Sequence, residues 1–340
     1  MLTAGDGVRI EAVYTPCTAR SGAAGGEGRG ETAVVLAHGF TGAADRPALL
    51  RAAGVFAQRA AVITFSFRGH GKSGGRSTVG DREVLDLAAA VAWARSLGHR
   101  RVVTVGFSMG GSVVLRHAAL YTATAEEAED FAVAGDSGVS VDSCDSADGE
   151  CVESRESAES EESRPAEAER VGRRAEAHGA QRGRRERTPV HSEVHPDTTP
   201  DATRDAIPDA IPDAHADVVV AVSAPARWYY RGTAPMRRLH WVVTRPAGRL
   251  VGRYGFGTRI HREDWNPVPL SPVQAVPLIT APLLIVHGDR DPYFPVDHPR
   301  MLAQAAEGRA ELWLEHGMGH AENAADEELL TRIADWADPA

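Results

Sequence analysis

Arg101-Val102-Val103-Thr104-Val105-Gly106-Phe107-Ser108-Met109-Gly110-Gly111 is the stretch that decides the fold of this chain. Its first five residues are mostly β-branched and suit a buried strand. Gly111 to Tyr121, with Val113, Val114, Leu115, Ala118 and Ala119, suits a helix packed on that strand. Ser108 falls on the turn between them. A tight strand-to-helix turn needs flanks without bulk, and Gly106 and Gly110 meet that need while leaving the hydroxyl exposed. The pentapeptide alone also fits an ordinary serine in a glycine-rich turn. Three further segments, each at the end of an expected strand, make Ser108 a candidate nucleophile.

Upstream, Thr32-Ala33-Val34-Val35-Leu36-Ala37 reads as a buried strand and runs into His38-Gly39-Phe40-Thr41-Gly42. When a serine attacks a carbonyl, the charge developing on oxygen is best met by preorganised N–H groups. The backbone amides of Phe40 and Met109 are the candidates. His38, just before a glycine at a strand end, is expected to order its loop with Gly39 rather than to act as base. Downstream, Ala281-Pro282-Leu283-Leu284-Ile285-Val286-His287-Gly288-Asp289-Arg290-Asp291 carries an apolar strand into two carboxylates. Asp291 is chosen over Asp289 as the group that fixes the histidine tautomer. Calcium is not expected there, because Pro292 and the missing oxygen ligands spoil an EF-hand reading.

The last expected strand, Ala310-Glu311-Leu312-Trp313-Leu314, leads into Glu315-His316-Gly317-Met318-Gly319-His320. His320 is the candidate base. His316 and His320 have the spacing of a helical zinc pair, but Gly317 and Gly319 disfavour a helix and no glutamate completes the protease motif. No metal and no cofactor are expected. The order Ser108, Asp291, His320 is that of an α/β-hydrolase triad.

With these elements the chain resembles the α/β-hydrolase family across nearly all of residues 1–121 and 217–340. Ser66-Phe67-Arg68-Gly69-His70-Gly71-Lys72-Ser73 resembles that family's Arg-Gly-x-Gly-x-Ser loop, which flanks the active-site mouth in its members. A P-loop reading of Gly71-Lys72-Ser73 fails because Ser66 stands where the first glycine is needed. The resemblance implies a mostly parallel central sheet flanked by helices, and hydrolysis through an acyl-enzyme on Ser108. It leaves the bond open, since esterases, thioesterases, lipases and aminopeptidases share the architecture. A carboxylic ester or thioester of a small molecule is the expected substrate. An amidase or aminopeptidase is the enzymatic alternative, and a binding protein that has lost turnover the other.

The chain has 340 residues and a formal net charge of −10. Strands expected at Val8–Tyr14, Ala33–Ala37, Val62–Phe65, Val102–Val105, Val218–Ser223, Leu283–Val286 and Glu311–Leu314 alternate mostly with helical patterns, which argues one α/β domain. Asp6-Gly7 suggests a tight hairpin, with too few residues before it for a full edge strand. The charge disfavours nucleic acid as a partner. No signal peptide or membrane-spanning run is recognised, and Cys17, Cys144 and Cys151 form no disulfide framework, so the cytoplasm is expected.

Two regions stand apart. Residues 122–216 are rich in Glu, Asp, Ser, Ala and Pro, with a run of arginines from Arg170 to Arg187. Disorder is expected, with the segment leaving the domain far from the site and serving as a candidate protein-binding element. Residues 227–276 form the expected cap, basic and aromatic, in which Trp228, Tyr229 and Tyr230 are candidate substrate-binding residues. An apolar acyl pocket with a cationic rim is the functional reading, and aromatics that build the cap's own core the structural one.

Overall fold

In a parallel sheet covered on both faces, strands read as unbroken apolar runs, and the five inner runs above become such strands. The computed structural model describes residues 1–18, 31–122 and 211–338; the acidic and arginine-rich parts of the insertion, with Cys144 and Cys151, lie outside them. The main sheet has seven strands: β3 (Ala12–Thr15), β4 (Thr32–Ala37), β5 (Ala61–Phe65), β6 (Arg101–Phe107), β7 (Val218–Val222), β8 (Leu283–Gly288) and β9 (Ala310–Glu315). Their spatial order is β3-β5-β4-β6-β7-β8-β9, with only β3 antiparallel to its neighbour. This is the α/β-hydrolase fold implied by the sequence.

The expected strand Val8–Tyr14 divides at Glu11. Arg9–Ile10 (β2) pairs with Leu2–Thr3 (β1) in a separate two-stranded hairpin, and β3 forms the sheet edge. The Asp6-Gly7 turn closes that hairpin, with Gly7 at φ 81°. Arg68 then ties it to the domain, pairing with Asp6 and with Asp86 at 2.7 Å each.

Because alternate strand residues face opposite sides, the sheet separates two cores. On one side Val35, Ile63, Val219 and Ile285 meet α2 (Glu83–Ser96), α3 (Met109–Leu120) and α7 (Asp297–Ala305). On the other, Leu36, Val62, Val105 and Val220 meet α1 (Pro47–Phe56) and α9 (Glu327–Ala337). Between β7 and β8 the chain makes a helical excursion through α4 (Ala234–Thr244), α5 (Pro246–Gly255) and α6 (Pro272–Ala275). A short α8 (Ala321–Ala324) precedes α9.

The described chain breaks off after Thr122, at the end of α3, and resumes at Ile211 ahead of β7. Both ends lie opposite the carboxyl ends of the parallel strands. Packing resumes before position 217, since Ala214 is buried with Tyr121 and Ala88.

Candidate active site

Ser108 sits at φ 52° and ψ −111°, backbone that an L-residue adopts only under strain. Its neighbours make the turn possible. A Cβ on Gly106 would run into the Gly110 carbonyl, and one on Gly110 into the Ala37 carbonyl at the end of β4. The Ser108 N–H donates to Val222 O at 2.9 Å, anchoring the turn to β7. These constraints leave the hydroxyl at the carboxyl edge of the sheet.

Three loops converge on that hydroxyl. Ser108 Oγ lies 2.8 Å from His320 Nε2, and His320 Nδ1 lies 2.7 Å from Asp291 Oδ2. The carboxylate's other oxygen accepts the N–H groups of Tyr293 at 2.7 Å and Phe294 at 3.1 Å. Burial alone would raise the Asp291 pKa. The hydrogen bond and charge of His320, with the two backbone donors, outweigh it and hold the group below the ordinary aspartate value. An ionised acceptor here fixes the Nδ1–H tautomer and turns Nε2 toward the serine. Tyr293 lies tilted against the imidazole with ring centroids 4.3 Å apart.

Asp289 points elsewhere, accepting the Gly317 N–H at 2.7 Å and meeting His316 Nδ1 at 2.7 Å on the exposed side of the loop. His38 is wholly buried. Its Nδ1–H donates to Gly39 O at 2.6 Å and its Nε2 accepts from the Phe67 N–H at 3.0 Å. Burial, with a smaller contribution from nearby His70, lowers its pKa to about 3. It is a neutral brace for the loop Gly39-Phe40.

The N–H groups of Phe40 and Met109 donate to no protein acceptor among the described residues. Both residues border the same cavity as Ser108. That cavity, about 340 Å³, is walled by Trp228, Tyr229, Tyr230, Met236 and Leu239 from the excursion and by Phe294. Trp228 also serves the excursion's own packing: its Nε1–H donates to Pro269 O at 2.9 Å and its ring meets Trp265. The two sequence readings of these aromatics therefore coexist in one residue.

Several supporting residues were given no role by the sequence. Glu322 Oε1 accepts the Gly39 N–H at 3.1 Å, joining the histidine loop to the Phe40 loop. Arg51 on α1 donates to the carbonyls of Glu322 at 2.6 Å and Ala325 at 3.0 Å. Ser223 Oγ accepts the Ala321 N–H at 3.0 Å. His70, in the Arg-Gly-x-Gly-x-Ser loop, sits between Arg68 O and Phe40 O, beside the peptide next to a candidate oxyanion donor. No group of three or more metal-ligating side chains occurs among the described residues.

Residues 32–128 match the α/β hydrolase fold family. Among solved structures, an esterase from Pyrococcus furiosus aligns with a TM-score of 0.54 at 17% identity, over 98% of this chain and 89% of that one. A membrane phospholipase A described as a bacterial virulence factor aligns with a TM-score of 0.50 at 16% identity, over 99% of this chain and 82% of that one. At such identities the likeness is one of fold. No curated protein matches the sequence.

Proposed function

The chain is an α/β-hydrolase-fold protein, and we propose that it is a serine hydrolase cleaving carboxylic esters or thioesters through an acyl-enzyme on Ser108. The observation that carries this reading is the continuous hydrogen-bonded relay from Ser108 Oγ through His320 to Asp291, opening on an apolar cavity. His320 Nε2 takes the serine proton as Oγ attacks the substrate carbonyl. The N–H groups of Phe40 and Met109 receive the charge that develops on oxygen, each such donor contributing about 10²- to 10³-fold in rate. The imidazolium, paired with Asp291, gives its proton to the leaving alcohol or thiol. Water then enters, loses a proton to His320, attacks the acyl carbon and restores Ser108.

The excursion 227–276 acts as the cap, with its aromatic wall against the acyl part of the substrate. Amide cleavage demands protonation of a poorer leaving group, and the cavity wall is mainly apolar, with Glu263 and Asp264 as the carboxylates that would meet an amino terminus. Simple acyl esters are therefore the substrates to try.

Labelling by a fluorophosphonate probe tests the proposal. Wild type reacts and Ser108→Ala does not, and rates on a series of short to long acyl esters fall about 10⁴-fold or more in that variant. A folded wild type that neither labels nor turns over any ester overturns the reading. Faster cleavage of aminoacyl amides than of esters reassigns the bond.

A further inference from the structure

A surface helix of a globular domain turns its apolar stripe inward. Helix α5 does the opposite. Ala247, Leu250, Val251 and Tyr254 follow the i, i+3, i+4, i+7 spacing of one helical face, and all four are exposed, Leu250 to 58% and Tyr254 to 77%. The buried face is made of glycines. A Cβ on Gly248 would run into the Trp241 carbonyl and one on Gly252 would meet Ile260 Cδ1 at 2.9 Å, so the glycines let α5 lie close against α4 while its large side chains point away. Trp241 on α4 and Phe256 just after α5 extend the apolar area, at 47% and 43% exposure.

Charge narrows what can cover this face. From position 227 to 262 the sequence holds nine arginines and no aspartate or glutamate, in a chain whose net charge is −10. Arg237, Arg238, Arg245 and Arg253 on and between the two helices are exposed. A second copy meeting it through the same face would bring equally basic side chains against this one, and the two would repel. An anionic surface with an apolar interior satisfies both features, the stripe entering the acyl boundary while guanidinium groups stay with the phosphates.

We propose that the α4–α5 face docks the protein on anionic lipid surfaces, with α5 lying in the plane of the interface. No helix among the described residues is long and apolar enough to cross a membrane, and the docking proposed is peripheral. Leu239 and Val243 of α4, with Arg249 of α5, border the cavity that contains Ser108. The helices that carry the docking face thus also contribute to the wall of that cavity. Docking rests on this surface alone and does not require the reaction proposed for Ser108.

The test is co-sedimentation of the full chain with vesicles of phosphatidylcholine alone and of phosphatidylcholine mixed with phosphatidylglycerol. Wild type binds the mixed vesicles at least about tenfold more tightly, and added salt weakens that binding. Leu250→Ser/Tyr254→Ser and Arg238→Glu/Arg253→Glu each lower it about tenfold or more with melting temperature unchanged, since all four side chains are exposed. Ser108→Ala binds as wild type does, so docking and turnover are read separately. Wild type that ignores both vesicle types, equal binding to both, or variants that bind like wild type would each overturn the proposal. So would a dimer that both double variants abolish in the absence of vesicle binding, which would assign the face to a second copy.

Discussion

A buried carboxylate two residues beyond His320 links the loop of the candidate base to the loop of a candidate oxyanion donor. Glu322 gives one oxygen to the Gly39 N–H, while its other oxygen is buried without a hydrogen-bond partner among the described residues. Replacing it by alanine leaves the buried Gly39 N–H without its acceptor. An unsatisfied buried donor costs about 1–3 kcal/mol. The expected result for Glu322→Ala is an unfolding free energy lowered by about 1–3 kcal/mol, seen as a lower urea midpoint, together with slower turnover at little changed KM as the Phe40 amide loses its setting. An unaltered midpoint and rate would show that the contact does neither. Nothing in the residue pattern marks Glu322, because its partner is nearly three hundred positions upstream and its role appears only when β4 and the β9 loop meet. Ser108, Asp291 and His320 were legible for the opposite reason: each lies within five residues of the end of a strand readable in the sequence, and those strands end at the same edge of the sheet.

At the scale of elements, the turn from β6 into α3 depends on atoms that are absent. Gly110 packs on the carbonyls of Ala37 and His38, so the helix carrying the Met109 amide can approach β4 only without a side chain at that position. Gly110→Ala must push α3 away from the Phe40 loop. Overpacking of this kind costs about 1–3 kcal/mol, and here it also separates the two candidate donors. We expect a lowered melting temperature and loss of fluorophosphonate labelling; a variant that labels at the wild-type rate would refute the account. The strands were readable from their β-branched runs to within a residue or two at most ends. Val8–Tyr14 was not, since the break at Glu11 follows from the peptide's bonds to Ser66 and Ser73, fifty or more residues away. The inverted polarity of α5 was equally hidden. Its spacing is that of an ordinary amphipathic helix, and only the glycine contacts show which face is inside.

Across the whole molecule, buried histidines set the response to acid. Burial lowers the pKa of His38 and His117 to about 3, and burial together with the Arg227 charge lowers that of His298 to about 4. Each is neutral in the fold, whereas in the unfolded chain a histidine takes up a proton below about pH 6.5. The unfolded state therefore binds more protons through this window, and stability is full above about pH 6.5 and falls as pH drops toward 4. Tryptophan fluorescence in urea should give a clearly lower midpoint at about pH 5 than at about pH 7. Equal midpoints would mean that these side chains are not held neutral. Carboxylates held below their ordinary value, Asp291 and Asp217 among them, add losses in the same direction at lower pH.

The central pair of strands has a further consequence, in the order of synthesis. Strand β6, which carries the serine turn, has β7 as its neighbour, yet β6 ends at Phe107 and β7 begins at Val218. At about 5–20 residues per second, a ribosome needs roughly 5 to 20 s to make the chain between them. For that interval the N-terminal third carries an open strand edge beside an unfinished site, and it is then that newly made chains are most exposed to mispairing.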